Sequence, residues 1–147
     1  MLIDKNIYGS FKPKMIPFDH QTEVFERSKL LREFGLFMEQ GTGKSKVIVD
    51  NFVWLFLEQE IDGVFITTDK AFYLNWFYNE IPDHMPEGIN YRIHYWDSDW
   101  TEKERKRAWE VLTPIDNVLD IFIMNIEALT LKRGFWFAQQ FIKMLVS

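Results

Sequence analysis

The stretch FGLFMEQGTGKSKVIVDNF, Phe34–Phe52, decides how the rest of the chain is read. Phe34–Met38 is a short apolar run, followed by the polar pair Glu39 and Gln40. Gly41 and Gly43 flank Thr42, and Lys44 and Ser45 open a second, longer apolar run. A short apolar run bounded by turn residues has the length of a buried strand, whereas one of more than about twelve residues has that of a helix. The spacing therefore predicts a strand over 34–38, a glycine turn, and a helix over 44–60.

Working outward, the same alternation repeats. Upstream, PFDHQTEVFERSKLLRE (17–33) opens with Pro17 and an expected N-cap at Asp19, and Val24, Phe25, Ser28 and Leu31 recur at helical spacing. Downstream, DGVFITTD (62–69) is a turn running into a buried strand, and KAFYLNWFYNEIP (70–82) is a helix expected to stop near Pro82. INYRIHYW (89–96) is a strand followed by the acidic loop DSDW. Thr101 and Glu104 form a capping box for the charged helix EKERKRAWEVL (102–112). After the turn TPIDN comes the strand VLDIFIMN (118–125), then a short helix IEALTLKRG expected to end at Gly134, and a last helix FWFAQQFIKMLVS. Strands alternating with helices predict an α/β fold with a mainly parallel sheet and helices on both faces.

Composition fits one folded domain. The chain has 147 residues, 47% hydrophobic and 17% aromatic, with net charge −5. That balance advertises neither nucleic acid nor an anionic membrane globally, although a local basic patch is compatible with it. There are no cysteines, which excludes disulfides and thiolate metal sites. The longest apolar run, FVWLFL (52–57), is too short to span a bilayer, and the first residues lack the apolar core of a signal peptide. The expected location is the cytoplasm. His20, His84 and His94 lie in separate segments, so no histidine metal site is predicted.

The glycine turn carries the chemistry. A tight turn between strand and helix gathers backbone N–H groups around one point, and the helix N-terminus adds partial positive charge. Gln40, Gly41, Thr42 and Gly43 form this cradle, Lys44 reaches the β- and γ-phosphates of a nucleotide, and the Ser45 hydroxyl ligates Mg²⁺. The usual loop has a glycine where this chain has Met38. The expected cofactors are ATP and Mg²⁺.

These residues, taken with three further stretches in the same order, resemble the first RecA-like lobe of a superfamily-two helicase or translocase. The nearest branch is the Swi/Snf type and its bacteriophage relatives. PFDHQTEVFE resembles the adenine-reading segment, which implies that Gln21 bonds the adenine edge. MEQGTGKSK resembles the first helicase motif. VFITTDKAFYLNWFYNEIP resembles the motif whose loop touches the sugar-phosphate backbone, implying contacts from Thr67, Thr68 and Lys70. Asp69 stands where the family has proline, and Trp76 is either a packing anchor or a base-stacking residue. IFIMNIEALT resembles a later motif, in which Asn125 either bonds phosphate or caps the next helix. Lys132 and Arg133 beyond it either add positive potential or form a solvated helix end.

The resemblance implies a P-loop, RecA-like α/β/α fold, incomplete relative to a full lobe. Residues 1–147 are read as a single partial ATP-binding lobe, with 1–17 as an N-terminal extension. Hydrolysis in that family needs a paired Asp-Glu at the end of a buried strand, and no such dipeptide occurs here. Asp69 and Asp120 are the only acids near buried strands, and Asp120 precedes its apolar run. The expectation is an ATP-binding portion of a DNA-dependent ATPase that is inactive as an isolated fragment. It would act on single- or double-stranded DNA through a longer protein with a second lobe, and open sheet edges would permit self-association. Two other functions remain open: a non-catalytic scaffold or interaction protein, and a small-molecule kinase using Arg105 and Arg107. The lack of a guanine-reading N-K-x-D motif argues against a GTPase.

Overall fold

A computed structural model of the chain describes residues 13–28, 31, 35, 43–110, 112, 113 and 115–146. The predicted strand over 34–38, together with Gln40, Gly41 and Thr42, lies outside the described residues. The chain forms two compact units, residues 1–60 with 80–88 and residues 61–79 with 89–147.

The elements described in the first unit are helices. Helix α1, Asp19–Ser28, packs on α2, Lys44–Leu57, and α2 also packs on the short α4, Ile81–His84. Phe25 meets Trp54 edge-on at a ring separation of 6.4 Å, and the Asn51 side-chain amide donates to the Ser28 hydroxyl. Val47, Val49, Phe52 and Val53 are the buried apolar residues of α2, and Lys46 and Asp50, one turn apart, are buried with them as a 2.5 Å ion pair. Asp19 does not cap α1. The cap position is Phe18, and Gln21, three residues on, returns its side chain to the Phe18 N–H. That is the glutamine half of a capping box.

The second unit holds a three-stranded parallel sheet in the order β1-β3-β2, so the fold is mixed α/β. Its strands are β1, Gly63–Thr68, β2, Tyr91–Tyr95, and β3, Leu119–Asn125. β3 is buried from Leu119 to Met124, as the central strand of a parallel sheet should be, and Asp120 is its one charged residue. Phe122 and Met124 join Trp96, Phe137, Ala138 and Phe141 in the core beneath α6, Lys132–Val146. Ile121 and Ile123 alternate with them and are equally buried, so both faces of β3 are covered. Phe65 of β1 stacks on Phe122 at 6.2 Å and 15°.

Three boundaries differ from the sequence reading. The segment after β1 does not stop at Pro82. It runs through α3, Tyr73–Asn75, a π-helical segment Trp76–Glu80, and α4, Ile81–His84, in which Pro82 is the second residue. Trp76 is half-buried in the π segment. The residues after β3 form a 3₁₀ turn, Ile126–Thr130, and α6 begins at Lys132, so Gly134 lies inside that helix. A Cβ at Gly134 would come within 2.3 Å of the Ala128 carbonyl oxygen; the glycine marks a close backbone approach rather than a stop. The Thr101–Glu104 box forms as expected ahead of α5, Glu102–Glu110.

Candidate functional site

The described part of the glycine turn is Gly43, Lys44 and Ser45. Gly43 is the N-cap of α2 in the left-handed region, at φ 82° and ψ 37°. Lys44 and Ser45 are the first two residues of the helix and are half-buried. The four leading N–H groups of a helix have no partner within it, so this end of α2 presents donors and partial positive charge beside Lys44.

Gln21 is brought against this turn. Its Oε1 accepts from the Phe18 N–H at 2.8 Å, and its Nε2 donates to the Gly43 carbonyl at 3.3 Å. The residue is only 4% exposed. A buried carboxamide needs such partners, because an unmade bond there costs about 1–3 kcal/mol. The residue expected to read adenine thus braces the segment before α1 against the turn before α2.

In the second unit the carboxyl ends of β1 and β3 lie side by side, with Thr68 paired to Asn125 in register. Thr67 and Lys70 are exposed and Thr68 and Asn125 half-buried. In open α/β sheets this is the edge where ligands bind. The Asn125 side chain makes no helix-capping bond; its Nδ2 donates to Glu127 Oε2 at 3.2 Å. Glu127, passed over in the sequence, ties the edge together. Its own backbone N–H, the Asn125 amide and the backbone N–H of Lys70 hold its carboxyl below the usual range, with the Lys70 charge adding to them. The edge therefore offers hydroxyls and amides with one lysine, whose charge is offset by a carboxylate.

Asp69 and Asp120 have structural partners. Asp69 Oδ1 accepts from the Ala71 N–H at 3.0 Å, and its carbonyl accepts from Phe72 and Tyr73, which starts α3. Asp120 is 3% exposed and accepts from Arg92 Nε at 2.6 Å. The other two Arg92 nitrogens donate to the Glu110 and Thr113 carbonyls, fastening the end of α5 to the sheet. Lys132 and Arg133 are exposed in the first turn of α6.

Among the described residues no cluster of three His, Asp or Glu side chains is arranged to hold a metal. Nor is any described helix long and apolar enough to cross a membrane. Comparison with known families, curated proteins and solved structures finds no match.

Proposed function

We propose that the chain is the ATP-binding portion of a DNA-dependent ATPase of the helicase or translocase type, built on a P-loop, RecA-like scheme and acting in the cytoplasm. The observation that carries this reading is left-handed Gly43 at the N-cap of α2, directly before Lys44 and Ser45. The residues present suit a nucleotide: Lys44 would neutralise the outer phosphates, the first N–H groups of α2 would surround them, and the Ser45 hydroxyl would ligate the accompanying Mg²⁺. Bound ATP would supply the phosphoanhydride; the residues of this chain would grip and orient it. Thr67, Thr68, Lys70 and Asn125 at one sheet edge suit a sugar-phosphate backbone, through neutral donors more than through charge. With no Asp-Glu pair in the sequence, the expected activity is binding without appreciable turnover.

One observation favours a second reading, a non-catalytic scaffold. Gln21 is buried, and both ends of its carboxamide have partners within the protein. Titration calorimetry with ATP, with and without Mg²⁺, separates the two. Binding in the micromolar to millimolar range that is lost in Lys44→Ala supports the motor-lobe reading. Absence of binding at millimolar ATP overturns it in favour of the scaffold.

A further inference from the structure

A cavity of about 220 Å³ opens between β2 and α5, bounded by Phe77, Tyr95, Trp100, His94, Glu104 and Arg107. No role in nucleotide or backbone contact falls on any of these residues. We infer that this cavity holds one unpaired base of a single-stranded nucleic acid. The inference rests on the nucleic-acid half of the proposed function and adds a contact away from the β1 and β3 ends.

The walls are aromatic. Tyr95 lies between Phe77, at 4.7 Å and 71°, and Trp100, at 5.7 Å and 57°. All three are half-buried, so ring surface faces the opening. Three rings in different planes offer a flat ligand one stacking partner and two edges. The volume is below the ~300 Å³ at which sites for whole small molecules begin, and suits a single ring system.

The charges select among flat or cationic ligands. Glu104 Oε2 accepts from the Thr101 N–H at 2.8 Å and the Thr101 hydroxyl at 3.2 Å, which holds that carboxylate against the start of α5. Arg107 on the same wall opposes a cation. His94 is held toward its neutral form, first by burial and then by Arg92. With Arg107 on the wall and His94 held toward neutral, the donors and acceptors here suit the edge of a neutral base. Lys103, one turn before Arg107 on the same side of α5, and Lys106 beside it are exposed, as are Asp99 and Glu102 near Trp100. These cations suit the phosphates flanking an inserted base, whereas a free heterocycle would have no use for them. A duplex would not enter, because its bases are stacked on one another.

The test is fluorescence anisotropy of the 147-residue chain with a labelled single-stranded DNA 12-mer and with the matching blunt duplex. Trp100→Ala is expected to weaken single-strand binding by about 5- to 150-fold, the loss of one stacked base, and to leave duplex binding unchanged. Trp100→Phe should retain most of the affinity, and Arg107→Glu, a change at an exposed position, should also weaken the single strand. Equal single-strand affinity in wild type, Trp100→Ala and Arg107→Glu would overturn the inference, as would a parallel loss on the duplex. So would displacement of the 12-mer's Trp100-dependent signal by a trimethyllysine peptide but not by excess unlabelled single strand. If the wild-type chain binds neither form, the inference and the nucleic-acid half of the proposed function fall together. ATP titration of the same sample then shows whether the nucleotide half stands.

Discussion

The Gln21 side chain donates to the carbonyl of Gly43 across 22 residues of sequence while accepting from the Phe18 N–H. One carboxamide thereby closes the start of α1 and holds the residue that caps α2. Phosphate loops must hold several N–H groups at one point, and this is the only cross-link to the turn seen among the described residues. The architecture of the candidate site is consequently a property of two distant segments, not of the glycine turn alone.

That relationship can be measured as a coupling. Gly43→Ala places a non-glycine residue at φ 82°, at about 1–2 kcal/mol, and puts a Cβ within 2.1 Å of Gln21 Nε2. The amide can swing aside only by abandoning Gly43. Gln21→Ala removes both bonds and is expected to destabilise by about 1–3 kcal/mol in urea unfolding. In the Gln21→Ala background, Gly43→Ala should cost only its dihedral part, giving a coupling of roughly 0.5–3 kcal/mol. Strict additivity would show that the two residues do not communicate.

The Lys46–Asp50 pair makes opposite predictions for single and double changes. Both side chains are almost wholly buried. Asp50→Ala leaves an ammonium without its close counter-ion and is expected to cost about 3–5 kcal/mol. Replacing the pair together, Lys46→Met with Asp50→Leu, should fall within about 1 kcal/mol of wild type or be more stable, since neither charge then has to be desolvated. Guanidinium melts of the three proteins check the ordering.

Gly134→Ala tests the close approach of α6 to the 3₁₀ turn. Its Cβ would meet the Ala128 carbonyl carbon at 3.0 Å as well as the oxygen, and backbone cannot rotate away as a side chain can. A loss of about 1–3 kcal/mol is expected, the range for overpacking, although alanine is the better helix former by about 1 kcal/mol. A neutral or stabilising result would place α6 farther from the turn.

His94 gives a pH signature. Burial, and then Arg92, lower its pKa below 6.5, while Asp120 and Glu110 oppose the shift. Between the folded value and 6.5 the unfolded chain binds the extra proton, so stability is level above 6.5 and declines as pH falls through that window. His94→Gln should flatten this part of a thermal-melt profile. An unchanged decline in the variant would assign it to other groups.

How much of this could be read from the sequence depends on the range of each contact. LDIFIMN announces itself because a central parallel strand is largely apolar on both faces, while GVFITT and YRIHY, the half-buried edge strands, show through their β-branched and aromatic residues. The Thr101–Glu104 box was legible because its partners are three residues apart. Gly134 misled because a glycine that ends a helix and one that admits a neighbouring carbonyl look alike in one dimension. Asp120 gave no hint of Arg92, and Gln21 gave none of Gly43, since each partner is more than twenty residues away. Glu127 escaped notice because its contacts, Asn125 and Lys70, meet only when β1 and β3 are aligned. The aromatic cavity assembles Phe77, Tyr95 and Trp100 from three segments, and an aromatic-rich sequence does not say which rings stay open to solvent.

The strand order has a consequence for biosynthesis. β3 is the last of the described strands to be made, yet β1 and β2 each align with it and not with one another. Until the ribosome has delivered Leu119 to Asn125, both earlier strands lack the template that joins them. A nascent chain paused within α5 therefore exposes two sticky, unmatched ribbons, and that interval is when a chaperone would matter most to its survival.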